Sequence, residues 1–166
     1  KKDRTFEPTA IKLPDGVNLW KPDKAGFYKL DVIPYIVGAG NPNADEGFEH
    51  FERTFHVHRG LGLGGKSSYI CPIQTFRKRC YICEWMMKNG GTADKEILDK
   101  LRVQNRLLLN VIAVTTKDSR AKAEIQVMDQ AYGSPKHPSF GQMLKNKIQS
   151  VEEYAGFYDL EGGYTL

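Results

Sequence analysis

The sequence predicts a mainly β fold with inserted helices, an α+β class built as a small barrel or a sheet. Two observations predict this class: apolar and polar residues alternate over several short stretches, and the helical patterns between them are brief. A chain of 166 residues has the length of one domain with a small appended lobe. A parallel βαβ arrangement fits the order of these patterns less well.

The first half of the chain contains two predicted strands. Residues 1–25 are rich in proline and predict turns and extended connections. Residues 27–33 alternate in polarity and continue past Pro34 to position 37, and a loop is predicted over 38–47. Residues 51–58 alternate again, which places His56 and His58 on the same strand face.

A glycine-rich stretch follows the second strand and matches a phosphate-binding pattern. Residues 60–67 have the spacing Gly-x4-Gly-Lys-Ser. That pattern requires a helix beginning at its Lys-Ser pair, but the next residues favour an extended chain and Pro72 excludes a helix interior. We therefore expect a hairpin connection rather than a nucleoside-triphosphate site.

The second half alternates helices with strands. A short helix is predicted over residues 84–89 and a second one up to Leu101, with Thr92 as its N-cap. Residues 107–116 and 123–128 predict strands, and residues 140–148 predict an amphipathic helix.

Positive charge is concentrated in the middle of the chain. Residues 53–151 hold 17 basic and 7 acidic residues, whereas residues 1–52 hold 7 basic and 9 acidic ones. Residues 53–83 contain no Asp or Glu. Acid-free basic stretches that also carry aromatic residues are typical of a polyanion-binding groove, and a solvated basic face is the alternative.

Three cysteines and a histidine form a candidate metal site. Cys71, Cys80 and Cys83 are an odd number of cysteines, which cannot form a closed set of disulfides. Twelve residues separate His58 from Cys71, eight separate Cys71 from Cys80, and two separate Cys80 from Cys83. Four nitrogen and sulfur donors with one Cys-x2-Cys pair are typical of tetrahedral zinc. The spacing predicts one structural Zn²⁺ whose four positions are filled by the protein.

The histidine ligand is the open part of this prediction. His56 lies on the same strand face as His58, and His50 also lies upstream of the cysteines. We prefer His58 because it is closest in sequence to the cysteines. The alternative to a metal site is three reduced, buried cysteines, and a redox role is disfavoured because no βαβ pattern surrounds Cys80 and Cys83.

Four features follow one another along the chain: the His-x12-Cys-x8-Cys-x2-Cys motif, the short helices after it, the strand at 106–112, and Tyr132-Gly133 before an amphipathic helix. Together they resemble the core of the tailed-phage single-stranded-DNA-binding proteins of the gene-32 type. The resemblance implies one OB-fold core domain over residues 1–166, with a zinc-binding subdomain and helical insertion over 51–106. It also implies a core fragment without the family's basic N-terminal segment and acidic tail.

The resemblance implies a non-enzymatic protein that binds single-stranded DNA without sequence preference, in phage replication, recombination and repair. Expected partners are single-stranded DNA, further copies of the chain bound cooperatively, and replication proteins, in the cytoplasm of the infected bacterium. Basic side chains would follow the phosphates, and aromatic rings would stack on bases. The predicted DNA-contacting residues are Arg59, Lys66, Tyr69, Phe76, Arg77, Arg79, Tyr81, Arg102 and Arg106.

Two other functional classes remain open. A zinc-containing nuclease or primase accessory domain would collect Mg²⁺ on carboxylates, but Asp94, Glu96 and Asp99 are explained by a solvated helix face. A zinc-stabilised adaptor would bind protein instead of DNA. No apolar run approaches the roughly 20 residues of a membrane span, and no apolar stretch follows the charged N-terminus as in a signal peptide, so neither membrane association nor secretion is expected.

Overall fold

The computed structural model describes residues 10–22, 24, 26–114 and 124–166, and its fold is a mostly antiparallel sheet with a few helices. The α+β class predicted above is therefore confirmed. The strands are β1 (Leu30–Ile33), β2 (Tyr35–Ile36), β3 (Glu49–His50), β4 (Glu52–Leu61), β5 (Ser67–Ile70), β6 (Val103–Ala113) and β7 (Gln126–Ala131). The α-helices are α1 (Pro72–Phe76), α2 (Tyr81–Asn89), α3 (Lys95–Leu101) and α4 (Phe140–Ser150), followed by a 3₁₀ helix over Glu152–Gly156.

The main sheet has five strands in the order β1-β6-β4-β5, with β7 paired to β6. Strand β6 pairs antiparallel with β1, where Val32 faces Val111, and with β7, where Leu109 faces Met128. Strands β2 and β3 form a separate two-stranded sheet. No closed barrel is formed by the strands of the described residues, so the OB-fold stays a prediction.

The chain divides into two compact units. Among the described residues, the first unit combines residues 10–12 with Phe55–Asn105, and the second combines those within Leu13–Thr54 and Arg106–Leu166. The first unit holds the connection from β4 through α3. The second holds β1, β2, β3, β7 and α4.

The second unit contains the hydrophobic core. Alternate residues of β6 are buried because side chains on a strand point to opposite faces in turn. They pack with buried residues of β1, β7, α4 and the segment after the 3₁₀ helix. The members are Leu30, Val32, Leu107, Leu109, Val111, Met128, Leu144 and Phe157.

The first unit buries few side chains. None of the residues of α1, α2 or α3 is buried. The buried side chains among its described residues are Phe55, Val57, His58, Cys71 and Cys80. Three of these five are candidate metal ligands, so this unit has few other fully buried side chains.

The glycine-rich segment connects β4 to β5 as a hairpin, which confirms the predicted connection. Gly60, Gly62, Gly64 and Gly65 all have φ between 66° and 84°, a region that residues with a Cβ rarely adopt. Strand β5 leads directly into Cys71, and no helix begins at Lys66-Ser67. The segment therefore lacks the helix N-terminus that a triphosphate site requires.

Several element boundaries differ from the predicted ones. Pro72 occupies the first position of α1, where a missing N–H costs nothing, so proline begins this helix rather than preventing one. Helix α2 begins at Tyr81, three residues before the predicted start. Asp94 caps α3, and the Asp94 carboxylate accepts a hydrogen bond from the Glu96 amide at 2.8 Å, so Thr92 was the wrong cap.

The predicted strands are present with shifted ends. The first is shorter than predicted, beginning at Leu30 rather than Phe27. Strand β6 begins at Val103, four residues early, and β7 covers Gln126–Ala131. The ends predicted at positions 115–116 and at 123 lie outside the described residues. Helix α4 is confirmed.

Candidate functional site

The four predicted metal ligands come together within the first unit. His58 lies on β4, Cys71 immediately precedes α1, Cys80 immediately precedes α2, and Cys83 lies in the first turn of α2. Strand β4 positions the histidine, and the hairpin returns the chain so that the Cys71 amide donates to the His56 carbonyl at 2.7 Å. Cys80 and Cys83 approach from one helix N-terminus, which is the usual way a Cys-x2-Cys pair presents two sulfurs to one ion.

Three of the distances between the ligand atoms match the edges of a tetrahedral site. The His58 Nε2 atom lies 3.4 Å from the Cys80 Sγ and 3.6 Å from the Cys83 Sγ. The sulfurs of Cys71 and Cys83 are 3.5 Å apart, and all four ligand atoms lie within 4.8 Å of one another. With Zn–S bonds of about 2.3 Å and Zn–N bonds of about 2.0–2.1 Å, a tetrahedron has edges of about 3.5–3.8 Å. The cluster could therefore hold one metal ion.

Burial separates His58 from the other candidate histidines. The His58 side chain is 0% exposed, as is that of Cys71, and Cys80 is 3% exposed. His56 lies on the same strand but is only half-buried, and its backbone amide donates to the Thr75 hydroxyl. His50 lies on β3 in the second unit, where its ring packs against Phe51. Only His58 belongs to the cluster.

A backbone carbonyl fixes the orientation of the His58 ring. The His58 Nδ1 lies 2.7 Å from the carbonyl oxygen of Leu101, the last residue of α3. A carbonyl only accepts hydrogen bonds, so this contact requires a proton on Nδ1 and leaves the Nε2 lone pair directed at the sulfurs. Metal-binding histidines are held in this way by a second group that accepts from the other ring nitrogen.

The thiols of the cluster differ in acidity. Burial raises the pKa of Cys83 to about 12, and contacts with the Cys71 and Cys80 thiols act in the same direction. Burial acts to raise the pKa of Cys80 too, but hydrogen bonds from the Cys83 and Ile82 amides at the start of α2 outweigh it and lower that pKa. A bound cation favours the thiolate form of each sulfur, so metal binding releases protons.

The three predicted stacking aromatics are all exposed. Tyr69 on β5 is 54% exposed, Phe76 at the end of α1 is 50% exposed, and Tyr81 at the start of α2 is 72% exposed. All three belong to the first unit and lie in the chain segment that supplies the ligands. Large aromatic rings exposed to this extent have free surface for a ligand.

The predicted phosphate-contacting residues of the first unit differ in exposure and in whether a carboxylate holds them. Lys66 and Arg77 are exposed, and Arg59 is half-buried on β4. Arg79 forms two hydrogen bonds to the Glu84 carboxylate, at 2.6 and 2.9 Å, and its guanidinium lies 4.7 Å from the centre of the Tyr81 ring. Exposed ion pairs of this kind are weak, so this pair leaves Arg79 open to exchange for a phosphate partner.

Arg102 and Arg106 have carboxylate partners of contrasting burial. Arg102 pairs with Asp99 at 3.1 Å with its side chain 72% exposed. Arg106 lies in the second unit and pairs with Asp129 at 2.8 Å, with side-chain exposures of only 13% and 6%. The Arg106 charge is therefore neutralised inside the protein rather than presented to a phosphate.

The sequence analysis missed one exposed aromatic residue of the first unit, Trp85. Trp85 is 42% exposed and lies four residues after Tyr81 on α2, so the two rings are on the same side of the helix. The i,i+4 spacing was the available signal. It was overlooked because α2 was predicted to begin only at Glu84, after Tyr81.

The chain was compared with protein-family models, curated proteins and solved structures, and nothing matched. Among the described residues, every helix is too short or too polar to cross a membrane.

Proposed function

We propose that this chain is a zinc-stabilised module that binds single-stranded DNA without sequence preference and catalyses no reaction. The observation that carries the proposal is the exposure of Tyr69, Phe76 and Tyr81 on the unit that holds the metal ligands. These rings lie within a stretch, residues 53–83, that has six basic residues and no acidic one. Exposed rings beside basic side chains are what unpaired bases and their phosphates require.

Binding would combine stacking with phosphate contacts. The rings of Tyr69, Phe76 and Tyr81 would each stack on a base, a contact worth about 1–3 kcal/mol, and Trp85 adds a fourth ring. Lys66, Arg77 and the Arg79 head group would neutralise phosphates, which makes the affinity depend on salt. Stacking accepts any base because every base has a π face, so no sequence preference is expected.

Zinc is the metal we propose for the cluster. Three thiolates and one imidazole are soft and borderline donors that suit Zn²⁺ in tetrahedral geometry. His58, Cys71, Cys80 and Cys83 would fill all four positions, which is the arrangement of a structural site. The ion would hold β4, β5 and the start of α2 in place, and these elements carry the exposed rings.

A preference for the single strand would have consequences in the cell. A protein that binds single strands more tightly than duplex shifts the duplex towards strand separation by mass action. This activity fits the role that the family resemblance implies, in phage replication, recombination and repair in the cytoplasm of an infected bacterium. Self-association along the strand and contact with replication proteins belong to the same proposal.

The test is fluorescence anisotropy of a labelled oligo-dT strand titrated with the zinc-loaded protein at two salt concentrations, beside the matching duplex. We expect tight, salt-sensitive binding that favours the single strand. Equal affinity for both forms, or binding to neither at low salt, would overturn the proposal. Absence of binding would favour the protein-binding adaptor, and Mg²⁺-dependent cleavage of the strand would favour the nuclease class.

Variants of Tyr81 test the stacking contact itself. Tyr81→Ala should weaken oligo-dT binding by about 5- to 150-fold, the equivalent of one lost stack, whereas Tyr81→Phe should retain the affinity. Phe48→Ala is the matched control, because Phe48 is 66% exposed but lies in the second unit. If Tyr81→Ala and Phe48→Ala lost the same affinity for oligo-dT, the result would contradict a specific stacking contact at Tyr81.

A further inference from the structure

A cavity in the second unit is lined by apolar residues together with an arginine, a tyrosine and two asparagines. It has a volume of about 340 Å³, at the small end of the range for small-molecule sites. All of its lining residues belong to the second unit, so the cavity is separate from the metal cluster and from the three exposed rings. The lining residues that matter here are Leu13, Tyr35, Phe51, Arg53, Leu108 and Asn110.

Part of the cavity wall comes from the face of the sheet opposite the hydrophobic core. On β6 the residues Leu107, Leu109 and Val111 are buried in the core, so Leu108 and Asn110 point to the other face. Arg53 lies on β4, the neighbour of β6 in the sheet order. A basic and an amide side chain thus enter one cavity from the sheet.

One wall is held rigid by hydrogen bonds. The Tyr35 hydroxyl donates to the Glu52 carbonyl at 2.8 Å and accepts from the Asn41 amide at 2.7 Å. The Asn41 Oδ1 in turn accepts from the Asn43 backbone amide at 2.9 Å. Because this ring is fixed before any ligand enters, its surface costs little conformational entropy on binding.

Arg53 and Asn110 are available to a ligand. Within the part of the chain that the structure describes, neither side chain has a hydrogen bond or an ion pair, and both are half-buried. A guanidinium offers only donors and suits a phosphate, while a carboxamide donates and accepts and suits the edge of a base. The apolar walls, Leu13, Phe51 and Leu108, suit the faces of a heterocycle.

We infer that this cavity binds one nucleotide, with its base against Asn110 and the apolar walls and its phosphate on Arg53. The inference rests on the proposed function, since a nucleotide of the bound strand is the expected occupant. A free mononucleotide offers the same chemistry, so the experiment includes both sources. The site adds hydrogen bonding to a base edge, which the exposed rings of the first unit do not provide.

The experiment compares Arg53→Gln, Asn110→Leu and the control Lys136→Gln, an exposed cation of the second unit, in oligo-dT titrations. Asn110→Leu should weaken binding about 5- to 10-fold, the effect of one hydrogen bond, and should leave binding of an abasic strand unchanged. Arg53→Gln should lower the slope of log affinity against log salt by about 0.7, the value for one phosphate on a single strand. Lys136→Gln should leave this slope as it is in the parent protein.

If the wild-type protein binds oligo-dT and both Arg53→Gln and Asn110→Leu bind it equally well, with the same salt dependence, the inference is overturned. The proposed function would still stand. If the wild-type protein does not bind oligo-dT, the proposed function fails. An NMR titration of the full chain with dTMP then decides whether the cavity binds a free mononucleotide. Shifts at Leu108 and Asn110 that are lost in Asn110→Leu would support a mononucleotide site, and their absence would overturn it. Thermal unfolding of each variant verifies that it folds.

Discussion

At position 58 a single imidazole has both ring nitrogens engaged, one towards the Leu101 carbonyl and one towards the cysteine sulfurs. His58→Ala removes a ligand and should lower the affinity for zinc by more than about 100-fold, beyond the loss typical of an outer-shell change. His58→Cys restores a fourth donor and should retain the metal. Zinc content of the purified proteins, measured by mass spectrometry, checks both.

His56→Ala is the matched control for these variants. His56 lies on the same strand, two residues from His58, but outside the metal cluster. The His56→Ala protein should keep one zinc ion per chain. Loss of zinc from His56→Ala with retention in His58→Ala would reverse the ligand assignment.

Burial also decides how two arginines behave. Arg106→Ala removes an ion pair whose Asp129 side chain is only 6% exposed, and should lower the free energy of unfolding by about 3–5 kcal/mol. Arg102→Ala removes a pair whose arginine is 72% exposed and should change it by less than about 1 kcal/mol. Urea unfolding at pH 7 measures the difference, and equal effects would contradict a structural role for Arg106.

His50 should make the free energy of unfolding depend on pH. Burial lowers the pKa of His50, whose Nε2 atom is buried and has no hydrogen-bond partner among the described residues. The folded state therefore binds fewer protons than the unfolded chain, and the free energy of unfolding falls as the pH drops below about 6.5. His50→Gln should make this decline shallower, whereas His137→Gln, at an exposed position, should leave it as it is. Urea titrations between pH 7 and 5 provide the comparison.

Among the elements, α3 is a test of where a helix begins. Asp94→Ala removes the acceptor for the Glu96 amide and should cost about 0.5–2 kcal/mol. Thr92→Ala should cost less, because the Thr92 hydroxyl donates to the Asn89 carbonyl at a long 3.4 Å and caps no helix. Chemical unfolding of the two variants distinguishes them, and a larger loss in Thr92→Ala would contradict the assigned cap.

The elements also show what the sequence could predict and where it failed. Cysteine and histidine spacing was sufficient for the metal cluster, because a local motif fixes which donors can meet. Proximity to the cysteines was enough to prefer His58 over His56, and the burial of His58 in the structure agrees with that preference. Helix α1 was missed because Pro72 was interpreted as a barrier to a helix, although proline is favourable at the first position.

The cavity of the second unit was beyond sequence reasoning for a different reason. Arg53 lies on β4 and Asn110 on β6, 57 positions later, and nothing in their local patterns indicates that one cavity contains both. The order of strands in a sheet depends on contacts between distant parts of the chain. For the same reason, the local patterns could not establish the predicted barrel. Periodicity identified the strands but not their neighbours.

For the molecule as a whole, buried apolar side chains are distributed unevenly between the two units. The hydrophobic cluster lies in the second unit, whereas the described part of the first unit buries five side chains, three of which are candidate metal ligands. Removing zinc with a chelator should therefore expose the amides of α1 and α2 to rapid hydrogen exchange while those of β1, β6 at 107–111, and α4 remain protected. Equal loss of protection in both sets would show that the metal stabilises the whole chain.

The bond from His58 to Leu101 also bears on mutational tolerance. Its acceptor is a main-chain oxygen, so no side-chain substitution at position 101 deletes it, and only a change in the path of α3 would. The orientation of the ligand ring is thus encoded in backbone geometry rather than in the identity of a second residue. A mutational scan of position 101 should be permissive as long as the helix still ends there.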